Sequence, residues 1–116
     1  MEILAGLFLI VHGLVHLAVW LPDYDSDTSP FDARRSWALV AIGLGSEGRV
    51  MAVGVAVACA VLFVVAGAGV LAGAGWAAGL AIATASLSLL LSGMWFHPWL
   101  LFNVGINVAI IAVASR

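Results

Sequence analysis

Eight of the ten charged side chains lie between Pro22 and Arg49, and the chain on either side of that stretch is almost wholly apolar. This uneven distribution constrains the fold more than any motif does. The chain is 65% hydrophobic and 9% charged, whereas a soluble domain carries about 25% charged residues. So few charges cannot cover a water-facing surface. The expected class is an all-α integral membrane protein, with the lipid bilayer as its first partner.

A membrane helix needs about 20 mainly apolar residues. Stretches at about 3–21, 50–73, 76–95 and 98–114 meet or approach that length, which predicts a four-transmembrane-helix bundle in a single domain. Gly73–Ala74–Gly75 reads as a tight break between the second and third spans. His97–Pro98 reads as the break before the fourth, with proline in the first turn of a new helix. The start "MEILAGLF" has Glu2 where a secretory signal would have basic residues, so a retained span is expected there.

The connection 22–49 holds "SPFD" at 29–32. That pattern predicts a helix start with Ser29 as N-cap, Pro30 at the first position and Asp32 in the first turn. "RRSWALVAIGL" then predicts a short interfacial or re-entrant helix lying over the bundle. Ser46 is a further N-cap candidate before the second span. An even number of spans puts both termini on one side. Trp20, Trp37, Trp95 and Trp99 then fall at the long-loop side as an aromatic belt, and Trp76 at the other. The arginine count leans toward the long-loop side being cytoplasmic.

Polar residues inside spans are functional candidates. His12 and His16 stand four apart and share one helix face. Asn103 and Asn107 share a face in the fourth span, and Thr84, Ser88 and Ser92 form a stripe in the third. Counting depth from the long-loop side puts His16 level with Asn103, and His12 level with Asn107. The expectation is a His/Asn-lined polar pocket in that half of the bundle, with Glu47 and Arg49 at its rim and the 30–44 helix as its lid. The competing reading is packing: such side chains bond between membrane helices, and Ser or Thr often bonds its own i−4 carbonyl. Glycine pairs Gly69/Gly73 and Gly75/Gly79 have the small-xxx-small spacing that lets helices approach, within the bundle or in a homo-oligomer.

Several function classes follow. His12 and His16 could chelate one ion, with His97 as a third ligand, which suits zinc, copper or iron. The glutamate of an HExxH helix is missing from "HGLVH". Haem is disfavoured, because two histidines on one helix cannot bracket an iron. Imidazoles and carboxamides would equally serve a small polar or lipid ligand, by proton exchange or by orienting a hydroxyl or carbonyl. "FLIVH" at 8–12 resembles one fragment of the intramembrane CAAX-protease pattern, but the paired glutamates of that family are absent. No catalytic triad, acidic pair or nucleotide loop is present. The spans carry no central acidic residue of the kind that small multidrug exporters use. With no lysine and a net charge of −2, nucleic acid is not an expected partner. Lone Cys59 forms no internal disulfide. In overall look the chain resembles small prokaryotic four-span proteins, which implies a multi-pass cell-membrane location. Binding of a metal ion or a small polar or lipid ligand is the leading expectation. The alternative is an accessory subunit of a larger membrane complex whose polar residues only pack helices.

Overall fold

The computed structural model describes residues 1–22 and 32–116. Among them the fold is all helical. Its elements are α1 (Glu2–Trp20), α2 (Trp37–Ala41), α3 (Gly48–Leu71), α4 (Ala77–Met94) and α5 (Leu101–Ala114). Short 3₁₀ turns at Gly45–Glu47 and Pro98–Leu100 lead into α3 and α5. Three helices are long and apolar enough to cross a membrane: α1, α3 with its leading turn, and α4. At 1.5 Å per residue, α1 and α4 are about 28 and 27 Å long, against a hydrocarbon core of about 30 Å. Their outward faces are apolar: Leu4, Val11, Val61, Leu90 and Val108 are all exposed, and Phe102 is 82% exposed. Helices that are apolar on both inner and outer faces are suited to lipid.

The long helices pack in chain order, α1 on α3, α3 on α4 and α4 on α5. The closest approach is between α1 and α3. A Cβ added at Gly67 would sit 2.5 Å from the Gly6 carbonyl oxygen, and one at Gly6 would sit 2.8 Å from that of Gly67. One at Gly13 would sit 2.8 Å from the Ala60 carbonyl oxygen. Gly6 and Gly13 are thus matched with Gly67 and Ala60, each pair seven residues apart, in a seam of small residues. The spacing of seven keeps a seam in register along two helices.

The small-xxx-small pairs expected from sequence do other things. A methyl group added at Gly75 or Gly79 would meet nothing within 4 Å, so these glycines do not hold the bundle together. Gly69 makes room for the Trp76 ring. Gly73 has φ +69°, a left-handed conformation that suits glycine. There Ala74 N–H donates to Gly69 O at 2.8 Å, and Gly73 N–H to Val70 O at 3.0 Å. This double closure ends α3 and explains the break at 73–75.

Ser29 and Pro30 lie outside the described residues. From Asp32 to Ser36 the chain is not helical, so Asp32 is not in a helical first turn and no helix covers 30–44. The helix there is five residues long, with Ser36 as N-cap accepting from Leu39 N–H at 3.3 Å. The physical reason is anchoring. Ser36 Oγ donates to Met94 O (2.6 Å), Trp37 Nε1 to Gly93 O (2.7 Å) and Trp95 Nε1 to Ala33 O (2.8 Å). These bonds spend the segment's polar groups on the end of α4. Asp32 instead takes the Arg34 backbone N–H and its guanidinium, both at 2.9 Å, with Arg35 at 3.6 Å. Two apolar clusters complete the core. One joins Trp20, Leu39, Ala52, Leu91, Trp95 and Leu100; the other joins Leu9, Cys59, Phe63, Ala81, Ala85 and Ile110.

Two outcomes are expected. Gly67→Ala should lower stability in detergent by about 1–3 kcal/mol through overpacking against backbone, while Gly79→Ala should be near neutral. Equal losses in thermal unfolding would contradict the seam. The Arg34 hydrogen bond holds the Asp32 carboxyl below its usual 3.8. A depressed carboxyl contributes stability above its unfolded value and loses it as pH falls through the folded one. An acid titration of unfolding should therefore show a low-pH loss below about that usual value that Asp32→Asn lacks.

Candidate functional site: a polar layer beside a groove

Between the two apolar clusters lies a layer of polar side chains. Along α1 the buried stripe runs Leu9, His12, His16, Trp20, and along α4 it runs Ala81, Ala85, Ser88, Leu91, Ser92. Asn107 is the polar residue that α5 buries completely. His12, His16, Ser88, Ser92 and Asn107 are all buried, and Asn103 is half-buried.

The bonds fix where the protons are. His16 Nδ1 is 2.9 Å from the His12 carbonyl oxygen, which can only accept, so Nδ1 carries a hydrogen. In the neutral ring, Nε2 then accepts from the Ser88 hydroxyl at 2.7 Å. The Ser88 oxygen in turn accepts from the Asn107 amide at 3.0 Å and the Asn103 amide at 3.2 Å. Its one hydrogen and two lone pairs are all used. Asn103 also donates to Ser92 Oγ at 2.8 Å, and the two Asn107 amide hydrogens are shared among Ser88, the Asn103 backbone oxygen at 2.8 Å and its side-chain oxygen at 3.1 Å. With its amide nitrogen so placed, Asn107 turns Oδ1 toward His12 Nε2, 3.4 Å away. A nitrogen facing that oxygen must be the donor, so His12 carries its hydrogen on Nε2. Phe63 of α3 packs on both imidazoles, with ring centres 4.9 Å from His12 and 5.5 Å from His16.

Beside this layer, α1 and α5 flank a groove. A cavity of about 290 Å³ is lined by His12, Val15, His16, Trp20, Asn103 and Ile106 among others. A second, of about 340 Å³, continues along Phe8, Leu9, Ile106, Ile110 and Val113. Ile106 borders both.

His12, His16, Asn103 and Asn107 are therefore brought into one hydrogen-bonded layer, and Ser88 and Ser92 join it. Thr84 does not: its hydroxyl donates to its own i−4 carbonyl, Leu80 O, at 2.8 Å. His97 is also placed elsewhere. It caps the turn before α5, its Nδ1 accepting from Trp99 N–H at 3.1 Å. Among the described residues no three His, Cys, Asp or Glu side chains converge as a metal-ligand set. Glu47 is exposed in the 3₁₀ turn, and Arg49 Nη2 donates to Leu21 O at 2.9 Å; neither lines the groove. The 37–41 helix does not line it either. Spacing alone does not single out the wall residues Val15 and Ile106, or Phe63. Trp20 has a signal, since it continues the His12–His16 stripe by four. Phe63 has none, because the α1–α3 register is set by the glycine seam.

Together the fold and the layer define a helical protein suited to the membrane, with a buried hydrogen-bonded His/Ser/Asn cluster. In comparisons with family models, curated proteins and solved structures, the chain matches none.

If Ser88 is the junction, Ser88→Ala should cost about 1–2 kcal/mol, because it strips partners from two helices at once. Thr84→Val, which removes only a bond within α4, should cost much less. Reversible unfolding in mixed detergent would compare them.

Proposed function

We propose that the chain is a four-span membrane protein whose α1–α5 groove binds a mainly apolar molecule carrying one small polar group. The fourth crossing would be Pro98–Ala114, an apolar helix of 17 residues. Its opening 3₁₀ turn rises faster per residue, so the whole segment reaches about 27 Å, close to the length of α4. The segment around α2 would lie at the membrane boundary, where exposed Trp37, Val40 and Ile42 can enter the lipid.

The observation that carries the ligand reading is the composition of the groove. Its walls are aliphatic and aromatic, and its imidazoles and carboxamide are gathered at one level by His12, His16 and Asn103. An apolar pocket with few convergent polar groups is the usual form of a small-molecule site. A metal ion is supported less. His16 already donates through Nδ1 and accepts through Nε2, so ligation would first break the Ser88 junction.

Ile106→Trp would fill the point where the two cavities meet. Organic extracts of the purified protein should yield a co-purified apolar molecule by mass spectrometry, and extracts of Ile106→Trp should not. Equal recovery from both would refute the groove as the site. Stoichiometric transition metal in the native protein, absent from a His12→Ala/His16→Ala variant, would favour the metal reading instead.

A further inference from the structure

The proton positions in the polar layer say which chemical group the groove accepts, and the inference rests on the groove-binding reading above. The amide hydrogens of Asn103 and Asn107 point to Ser88, Ser92 and Asn103. The Ser88 hydrogen goes to His16, and the His16 Nδ1 hydrogen goes to the His12 carbonyl. His12 Nε2 donates toward Asn107. These donors are therefore spent inside the protein.

Two acceptors are not. His12 Nδ1 has a lone pair and no hydrogen-bond partner among the described residues. No buried side-chain nitrogen or oxygen there lacks a partner, so this atom is not fully enclosed, and His12 lines the groove. Asn103 Oδ1 accepts one bond, from Asn107, and a carbonyl oxygen can take two. No cation stands beside them. The groove lining contains no arginine, and the chain has no lysine. Arg34 and Arg35 face Asp32, and Arg49 reaches Leu21 O.

We propose that the groove selects a neutral hydrogen-bond donor, a hydroxyl on an apolar body, whose one hydrogen goes to His12 Nδ1, with Asn103 Oδ1 as a neighbouring acceptor. At that point of the groove a phosphate would meet two lone pairs and no positive charge, and a ketone or quinone oxygen would bring no hydrogen to either acceptor. An aliphatic alcohol and a phenol share the required chemistry. The second cavity, which shares Ile106 with the first, takes the apolar remainder of the molecule.

The test uses the full chain in lipid nanodiscs. Trp20 and Trp99 border the groove, so a bound bromine quenches their fluorescence. The probes carry bromine beside the polar group, next to these tryptophans: an undecanol brominated on the carbon adjoining its hydroxyl-bearing carbon, its methyl ether, its phosphate monoester and an ortho-brominated alkylphenol. The signal is the saturable quenching that unbrominated undecanol displaces. The alcohol, the phenol or both should bind, and the ether should bind about tenfold more weakly for the loss of one hydrogen bond. The phosphate should give no saturable signal. Which of alcohol and phenol binds better identifies the body of the ligand. His12→Phe should bring the alcohol down to the level of the ether. The alcohol-to-ether comparison on the native chain stands even where that variant does not fold. Ether or phosphate binding as tight as the alcohol, with Ile106→Trp abolishing both, would overturn the donor preference and leave the groove reading standing. No saturable quenching by any probe would overturn both.

Discussion

Ser88 ties together helices whose main packing is with their neighbours in the row. Its hydroxyl reaches His16 on α1 and takes amide hydrogens from Asn103 and Asn107 on α5. Main packing runs α1 to α3, α3 to α4 and α4 to α5, so the two ends of the row need something to relate them. In hydrocarbon there is no water to satisfy a stray polar group, and unsatisfied ones are costly. That penalty makes the junction specific. His16 at 2.7 Å and the two amides at 3.0 and 3.2 Å use every hydrogen-bonding position the hydroxyl has.

The junction depends on shape as much as on polarity. Gly13 lets α1 come close to α3 one residue past His12, and Phe63 then packs against both imidazoles from the α3 side. A larger residue in the seam would push the rings away from Ser88 before it disturbed any polar atom. Apolar clusters above and below the layer hold its depth, through Trp20 and Leu91 at one end and Leu9 and Ala81 at the other.

Much of this is legible in the sequence, for reasons that differ by feature. The helix bounds follow from apolar length and from Gly73 and Pro98, which act locally. That His12, His16, Asn103 and Asn107 meet follows from a spacing of four, which sets the shared faces, and from depth counting, which matches the two helices. Contacts that depend on how one helix meets another are not legible. Gly6 and Gly67 are sixty-one residues apart in sequence, and nothing local distinguishes them from Gly75 or Gly79, which touch nothing. His97 beside Pro98 reads as a cap or, if its turn folds inward, as a third ligand, and its ring is taken by Trp99 N–H. The helix start at Ser29 is a sound local pattern, but Ser36 and Trp37 are tied to α4 carbonyls and place the observed start seven residues later. The groove is a property of two helices that stay apart, and residue spacing along one helix does not encode it.

The same network answers why a greasy helix carries two imidazoles that do different work. His16 is consumed: one nitrogen gives to the backbone and the other takes from Ser88, which makes it a structural member of the layer. His12 is held on one side only. Its Nε2 meets Asn107 Oδ1 at 3.4 Å, a long bond, while the ring is gripped by Phe8 and Phe63. A residue positioned by stacking rather than by saturated hydrogen bonds keeps a nitrogen to spare. Packing alone would be served as well by a second residue bonded like His16. The asymmetry between the two rings, rather than their presence, is what the proposed binding site rests on.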